Sequence, residues 1–325
     1  MKVLINASAA REGGALTILS SYLESKVNDN NEYIVLSPVR PKTKSENINW
    51  HEVCTFGFGT YFFSLIYVLF YYLRFDCHKL ISFNNINTIF PIKSRITYFH
   101  NFLILNSPER KYKLLRFTLR HLNQQGCLYI FQTPYVEERF KECIRPTVAS
   151  QVCWPGVDIP TELPRLKRCL VESLNSSKRT LVWPVSDPSL SHKNFKLVNR
   201  AADRIKNLQV IIPSQKPEAC QNEGLTYVGP LDRAQLLRLI SCSEGVIITS
   251  EVETVCLPIF EAIGLKKNAY VHKQPYLQGI RESWPNLNGL IEFNSIEELE
   301  ELFNRASSSE VSQIQNDFCK CDWSF

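Results

Sequence analysis

Glu253-Thr254-Val255-Cys256-Leu257-Pro258-Ile259-Phe260-Glu261-Ala262 carries two glutamates with seven residues between them. The apolar run Gly245-Val246-Ile247-Ile248 precedes it and reads as a strand. Pro258 opens a short helix, because the N–H it lacks is one that a first turn leaves unpaired anyway, and Gly264 can close it. In a parallel α/β sheet such a loop falls at the carboxyl end of its strand, where ligands bind. The amides of a helix N-terminus there favour anionic groups. A carboxylate beside them suits hydrogen bonding to ligand hydroxyls.

Working outward, the same alternation recurs along the whole chain. Strands are expected at Lys2–Asn6, Tyr33–Ser37, Lys79–Ser82, Arg95–Phe99 and Leu128–Gln132. A helix is expected over Ala15–Ser25, with Leu16, Leu19 and Leu23 on one side. Residues 40–50 read as polar and irregular. Thr133-Pro134 caps and starts another helix. After Val152–Ile159, a second series follows: strands at Arg179–Trp183, Gln209–Ile212, Leu225–Val228, Gly245–Ile248 and Asn268–Val271, with a helix over Asn194–Lys206. Asp232 with Gln235, and Ser295 with Glu298, have capping-box spacing before helices that end at Ser241 and Arg305. Alternating strands and helices imply parallel sheets covered on both faces. The fold class is therefore α/β, with two doubly wound Rossmann-like domains facing a cleft, which is a favoured place for ligands. The expected limits are 1–157, 158–308, and a C-terminal helix over 309–325 that packs back on the first domain through residues such as Trp323 and Phe325.

A chain of 325 residues exceeds what one core usually serves. Its 37 basic and 32 acidic residues leave a net charge of +5, enough to attract anionic substrates or headgroups without requiring nucleic acid. Eleven cysteines include no pair of CxxC motifs, so no zinc site or other metal site is expected. The start Met1-Lys2-Val3-Leu4-Ile5-Asn6 reads as a strand and not as a signal peptide, which points to a reducing cytoplasm. Two segments bear on membranes. Tyr61–Leu73 is almost wholly aliphatic and aromatic but shorter than the ~20 residues that span a bilayer. It is expected as a buried helix; joint exposure of Tyr67, Phe70 and Tyr71 would instead mark a helix that dips into a membrane face. Lys111–Gln124 is basic and amphipathic, a pattern of sheet-covering helices and also of helices lying on lipid.

The residues suited to chemistry lie at strand ends. Gly13-Gly14 is expected as a loop after the first strand, where glycines let the backbone approach a phosphate or sugar. GxGxxG is absent. His100, closing Tyr98-Phe99-His100-Asn101, sits where it could hold sugar hydroxyls or move a proton, or simply cap the strand. Lys193, before the second-domain helix, offers a compact positive charge to a diphosphate.

These motifs, in this order, resemble retaining glycosyltransferases of family 4. The match rests on the glutamate loop, on the Gly-Gly pair, on Tyr129-Ile130-Phe131-Gln132-Thr133, and on Trp154-Pro155-Gly156-Val157-Asp158 at the domain junction. The resemblance implies the glycosyltransferase B architecture and transfer from a nucleotide diphosphate sugar to a saccharide or lipid-linked acceptor. It implies no metal and no cofactor, and a role in cell-surface polysaccharide building at the cytoplasmic membrane face. It places His100 and Glu253 at the transferred sugar. It places Gly13, Gly14, Lys193, the amides of Thr254, Val255, Cys256 and Leu257, and the Glu261 carboxylate at the donor. Two departures stand out. Trp183-Pro184-Val185-Ser186-Asp187-Pro188 lacks the family's phosphate-binding Arg, for which Arg233 could substitute. Thr254-Val255-Cys256 stands where Gly-Phe-Gly is usual. They leave room for a non-catalytic scaffold with a degenerate donor site, and a nucleotide-sugar epimerase on the same fold is a further alternative.

Overall fold

The computed structural model describes residues 1–11, 13–174, 177–217, 221–305 and 316–325. It divides into two compact units, Met1–Gly156 with Cys321–Phe325, and Val157–Lys320.

Unit 1 is a parallel sheet of seven strands: β1 (Lys2–Asn6), β2 (Glu32–Ser37), β3 (Ile48–Glu52), β4 (Lys79–Ser82), β5 (Arg95–Phe99), β6 (Leu128–Phe131) and β7 (Ala149–Val152), in the order β3-β2-β1-β4-β5-β6-β7. The interior strands are apolar along their length, as burial on both faces demands. The order reverses between β1 and β4, so the loops after these two strands diverge at the carboxyl edge, the place where such sheets bind ligands. Unit 2 has six parallel strands: β8 (Arg179–Val182), β9 (Leu208–Ile212), β10 (Leu225–Tyr227), β11 (Gly245–Ile248), β12 (Asn268–His272) and β13 (Leu290–Phe293). Their order is β10-β9-β8-β11-β12-β13, with the reversal between β8 and β11. One core of this unit gathers Leu181, Trp183, Val198, Val210, Phe293 and Phe303.

Several expectations need correction. Gly13 and Gly14 are not a separate loop: the helix Gly13–Ser25 begins at them, with Gly13 at φ +61°. β3 forms inside and beyond the stretch read as irregular, because a short polar edge strand carries little periodic signal. β7 and β13 are likewise edge strands with half-exposed or exposed residues, which leaves them without a continuous buried apolar run. Gly264 ends its helix without a left-handed φ; that conformation falls on Lys266, at φ 61°. Gly264 instead makes room, since a Cβ there would lie 2.8 Å from Ile159 Cγ1. Of the two capping boxes, only half forms in each: Asp232 accepts from the Gln235 N–H at 2.9 Å, while the Gln235 side chain turns to Arg165 and Lys167. Ser295 accepts from Glu298 N–H, and the Glu298 carboxylate goes to Asn294. The helix expected over 309–325 falls in part outside the described residues. Asn316–Cys319 is a 3-10 turn, and Cys321–Phe325 has no regular structure. Trp323 lies edge-on to Tyr22 and Phe325 stacks on the same ring.

The aromatic helix is longer than expected and only half buried. It runs as Phe58–Phe62, a π turn Phe63–Tyr67, and Val68–Arg74. Phe63, Leu65, Val68 and Tyr72 are buried, and Phe63, Val68 and Tyr72 pack with Leu4, Ile34 and Leu80. Tyr67 and Phe70 are exposed, at 64% and 60%, whereas Tyr71 is half-buried. Among the described residues no helix is long and apolar enough to cross a membrane.

Candidate functional site

Unit 2 assembles its candidate residues where its strand order reverses. The chain leaves β8 through the wholly buried Trp183 and passes the 3-10 turn Ser191–Lys193. It leaves β11 through Thr249 and the loop to Cys256. Four contacts lace these loops together. Thr249 Oγ1 donates to the Lys193 carbonyl at 2.7 Å and accepts from Trp183 Nε1 at 3.0 Å. The Glu251 N–H donates to the His192 carbonyl at 2.8 Å. Lys193 Nζ meets Glu253 Oε1 at 2.5 Å, with both side chains about four-fifths buried. Burial alone would lower the Lys193 pKa; the Glu253 carboxylate outweighs it and the pKa is raised. The two residues that the sequence reading placed sixty positions apart are therefore one charged pair.

The loop before the second glutamate keeps a glycine-like shape without glycine. Cys256 sits at φ 53°, ψ 67°, in the left-handed region, and its side chain is buried, as are those of Val255 and Leu257. A left-handed non-glycine residue costs about 1–2 kcal/mol. The backbone follows a path usually left to glycine, and the Val255 and Cys256 side chains are buried in the protein. Thr254, at the head of the loop, is half-buried. Burial pushes the Cys256 thiol well above its ordinary pKa, so it is an unreactive packing group. The helix Leu257–Gly264 follows, with Pro258 in its first turn.

Glu261, on that helix, is 6% exposed. Its Oε1 accepts from Arg233 Nε at 3.0 Å, and Arg233 reaches on to the Asp158 carbonyl at 2.6 Å. Burial raises the Glu261 pKa and the guanidinium only partly offsets this. Arg233 is thus committed to Glu261 and Asp158. The sequence offers it only as a substitute cation; its tie to Glu261 carries no sequence signal, because the two lie on separate helices.

In unit 1, Gly13-Gly14 follows β1 and His100 follows β5, both after carboxyl ends of strands. The asparagines after β4, which the sequence reading missed, tie these loops together. Asn84 Oδ1 accepts from the Ala9 N–H at 3.2 Å; Asn85 Oδ1 accepts from the N–H groups of His100 and Asn101 at 2.8 and 3.0 Å. Asn85 has φ 63°, a conformation asparagine tolerates, and consecutive asparagines after a strand are the one clue available. Asn84 Nδ2 also donates to Ser64 Oγ at 2.9 Å, on the buried side of the aromatic helix. His100 is held by burial to a pKa of about 4 against an ordinary 6.5, against the opposing effect of a hydrogen bond with the Tyr98 backbone, and is neutral at pH 7. A groove of about 730 Å³ beside β3, lined by Arg40, Trp50 and His51, contains none of the candidate residues. Among the described residues no group of three His, Cys, Asp or Glu side chains could hold a metal ion.

No protein-family model matches the sequence, and no curated protein sequence does. Solved structures do match. WaaG, a glycosyltransferase involved in lipopolysaccharide biosynthesis, superposes with a TM-score of 0.68 at 11% identity, over 96% of this chain and 91% of its own. HepE of Anabaena, solved with UDP and glucose, gives 0.67 at 14% identity, over 94% and 89%. Sucrose-phosphate synthase of Thermosynechococcus elongatus gives 0.66 at 11%, over 94% and 88%. At such identities the likeness is one of fold, and that fold is the glycosyltransferase B type with two Rossmann-like units.

Proposed function

We propose that this chain is a retaining, metal-independent glycosyltransferase of the family 4 kind. It moves a sugar, a hexose by that resemblance, from a nucleotide diphosphate sugar to a saccharide or lipid-linked acceptor. The observation that carries the reading is the Lys193–Glu253 pair at the strand-order reversal of unit 2, beside the loop and helix N-terminus of residues 254–257. HepE, on the same fold, was solved with UDP and glucose and with UDP-glucose.

On this reading the acceptor hydroxyl bonds to the anomeric carbon while the bond to the diphosphate breaks. The nucleoside diphosphate leaves with the electron pair, and the hydroxyl proton passes to it or to solvent. Lys193 and the amides of Thr254, Val255, Cys256 and Leu257 stabilise the departing charge. Glu253 and a neutral His100 hold sugar hydroxyls. Gly13 and Gly14 leave space at the donor phosphates. Glu261, with Oε1 anchored by Arg233, presents its other oxygen to the ribose hydroxyls. The place of work is the cytoplasmic face of a membrane where cell-surface polysaccharide is built.

The absent phosphate-binding Arg, together with a Lys193 already neutralised by Glu253, favours a second reading, a scaffold whose donor site is degenerate. Thermal unfolding against a panel of nucleoside diphosphates and nucleotide sugars separates the two. A ligand at 100 times its Kd adds about 2.7 kcal/mol, a rise of a few degrees in Tm. A rise with one base, lost in Glu261→Ala, supports transfer; no rise with any of them supports the scaffold.

A further inference from the structure

The groove beside β3 has a fixed floor, and no step of the proposed transfer uses it. β3 is the outer strand of its sheet. Successive side chains of a strand point to opposite faces, yet Trp50 and His51 both line the groove, so it follows the free edge of the strand. The Trp50 indole N–H is shared between the Ser37 carbonyl and hydroxyl oxygens at 3.2 and 3.1 Å, which fixes the half-buried ring. On the other face His51 lies against Phe75, with ring centroids 4.7 Å apart. The connection from β2 to β3 contributes Arg40, Lys44 and Glu46 as exposed lining side chains. Asn47 anchors its return: the side-chain amide nitrogen lies 2.9, 3.1 and 3.2 Å from the carbonyl oxygens of Lys26, Asp29 and Asn31. The Asn47 carbonyl accepts from Tyr33 N–H, and Val53 N–H donates to the Ser37 carbonyl. By the alternation of a parallel ladder the odd-numbered residues of β3 therefore bond to β2, and the backbone N–H and C=O of Trp50 face outward along the edge.

We propose that this groove binds a stretch of oligosaccharide, apart from the strand-end loops that carry the candidate site residues. Sugar hydroxyls donate and accept hydrogen bonds at once, and the C–H faces of pyranose rings pack on aromatic rings. The groove offers all three kinds of contact. Arg40, Lys44 and the Trp50 N–H donate, Glu46 and the Trp50 carbonyl accept, and the fixed Trp50 ring is the platform. Its volume of about 730 Å³ falls within the ~300–1,000 Å³ of small-molecule sites and has room for more than one pyranose ring. Arg40 lies over the Trp50 ring 5.8 Å from its centroid, against 3.7 Å for Arg11 over Phe56, so the contact is loose and this exposed side chain can give way to a sugar. Other occupants fit less well. A phosphate-rich ligand is complemented by cations alone, and here Glu32 and Glu46 line the groove with them. A peptide adding as a further strand needs a run of free backbone groups, but Ile48 N–H is turned back to the Ser45 carbonyl at 3.1 Å. β3 is two strands, ~10 Å, from β1 across the sheet. A saccharide seated here reaches the loop after β1 only through several residues of chain, which suits a polymeric acceptor and not a monosaccharide. That last step rests on the saccharide-acceptor part of the reading above; binding in the groove does not require transfer to be correct.

The test labels the full chain with fluorotryptophan and follows the fluorine NMR signals of its five tryptophans. The probes are maltoheptaose, cellohexaose and chitohexaose, with inorganic pyrophosphate for comparison. The Trp50 signal, identified by its loss in Trp50→Phe, should shift saturably with at least one oligosaccharide and not with pyrophosphate. Those of the buried Trp154, Trp183 and Trp323 should stay in place. Saturation-transfer NMR on the oligosaccharide that binds then compares variants. Trp50→Ala should weaken binding roughly tenfold, and Arg40→Ala and Lys44→Ala roughly threefold to tenfold each. Unaltered Tm values show that the variants are folded, and the two exposed positions keep the test open should Trp50→Ala unfold. A Trp50 signal that none of the three oligosaccharides moves overturns the proposal. So does a response to pyrophosphate alone, which would make the groove an anion site, and so does saccharide binding that persists undiminished in all three variants. The nucleotide-induced rise in Tm should be the same in these variants as in the wild type. Its absence from the wild type, with Trp50 still responding to an oligosaccharide, would sink the donor-site reading and leave the groove standing.

Discussion

Lys193 Nζ and Glu253 Oε1 lie 2.5 Å apart and close the loop after β8 onto the loop after β11. Removing one partner leaves a largely buried charge alone. Lys193→Met should destabilise unit 2 by about 1–3 kcal/mol and Glu253→Gln by less, since Gln can still accept a hydrogen bond from Lys193. The Lys193 pKa is raised in the folded state. Its stabilising contribution is therefore full below the unfolded value of about 10.4 and is lost as pH rises through the folded one. Urea unfolding from pH 8 to 11 should show a decline that Lys193→Met lacks.

Arg233 compensates a carboxylate that is almost fully enclosed. Arg233→Ala should cost about 2–4 kcal/mol, and Arg233→Ala with Glu261→Gln should recover much of it. Burial raises the Glu261 pKa, so the folded state holds its proton to higher pH than the unfolded state does. Between the two values stability falls as pH rises. Glu261→Gln should remove that slope in unfolding measured from pH 4 upward. Equal losses in the single and double variants would show that Arg233 does not serve Glu261.

His100, with a pKa of about 4, should stay neutral from pH 8 to pH 5 in an imidazole NMR titration. Because its folded pKa is depressed, its contribution is present above about 6.5 and lost as pH falls toward 4, at up to ~1.4 kcal/mol per pH unit. His100→Gln should flatten that limb. A titration near 6.5 in the folded protein would contradict the enclosed setting of the ring.

Gly245 opens β11 beside β12, and a Cβ there would lie 2.0 Å from the Asn268 carbonyl oxygen. The obstruction is backbone of the neighbouring strand, which cannot swing aside as a side chain can. Gly245→Ala should cost at least ~1–3 kcal/mol in thermal unfolding and weaken nucleotide binding, because β11 carries the glutamate loop. Gly264→Ala meets side chains and no backbone, Ile159 at 2.8 Å and Phe318 at 3.6 Å, and should cost less.

The strands that sequence periodicity revealed are those buried on both faces, such as β1, β5 and β11, where continuous apolar runs leave a clear signature. β3, β7 and β13 were illegible because half-exposed and polar residues at a sheet edge interrupt the apolar run. Thr133 and Pro134 were legible as a helix start, since an N-cap acts within three residues of chain, and Val136 N–H does donate to Thr133 Oγ1.

What the sequence determined by itself was local: the alternation of strand and helix, the caps, and candidate side chains after strand ends, all set by chemistry within a few residues. Tertiary structure alone decided which of these meet. Lys193 faces Glu253 only because β8 and β11 are neighbours where the strand order reverses, and Arg233 reaches Glu261 only because two separate helices pack together. It also decided that one face of the Phe58–Arg74 helix stays outside the core. An apolar run states only that burial is favourable; what covers each face depends on elements distant in the chain.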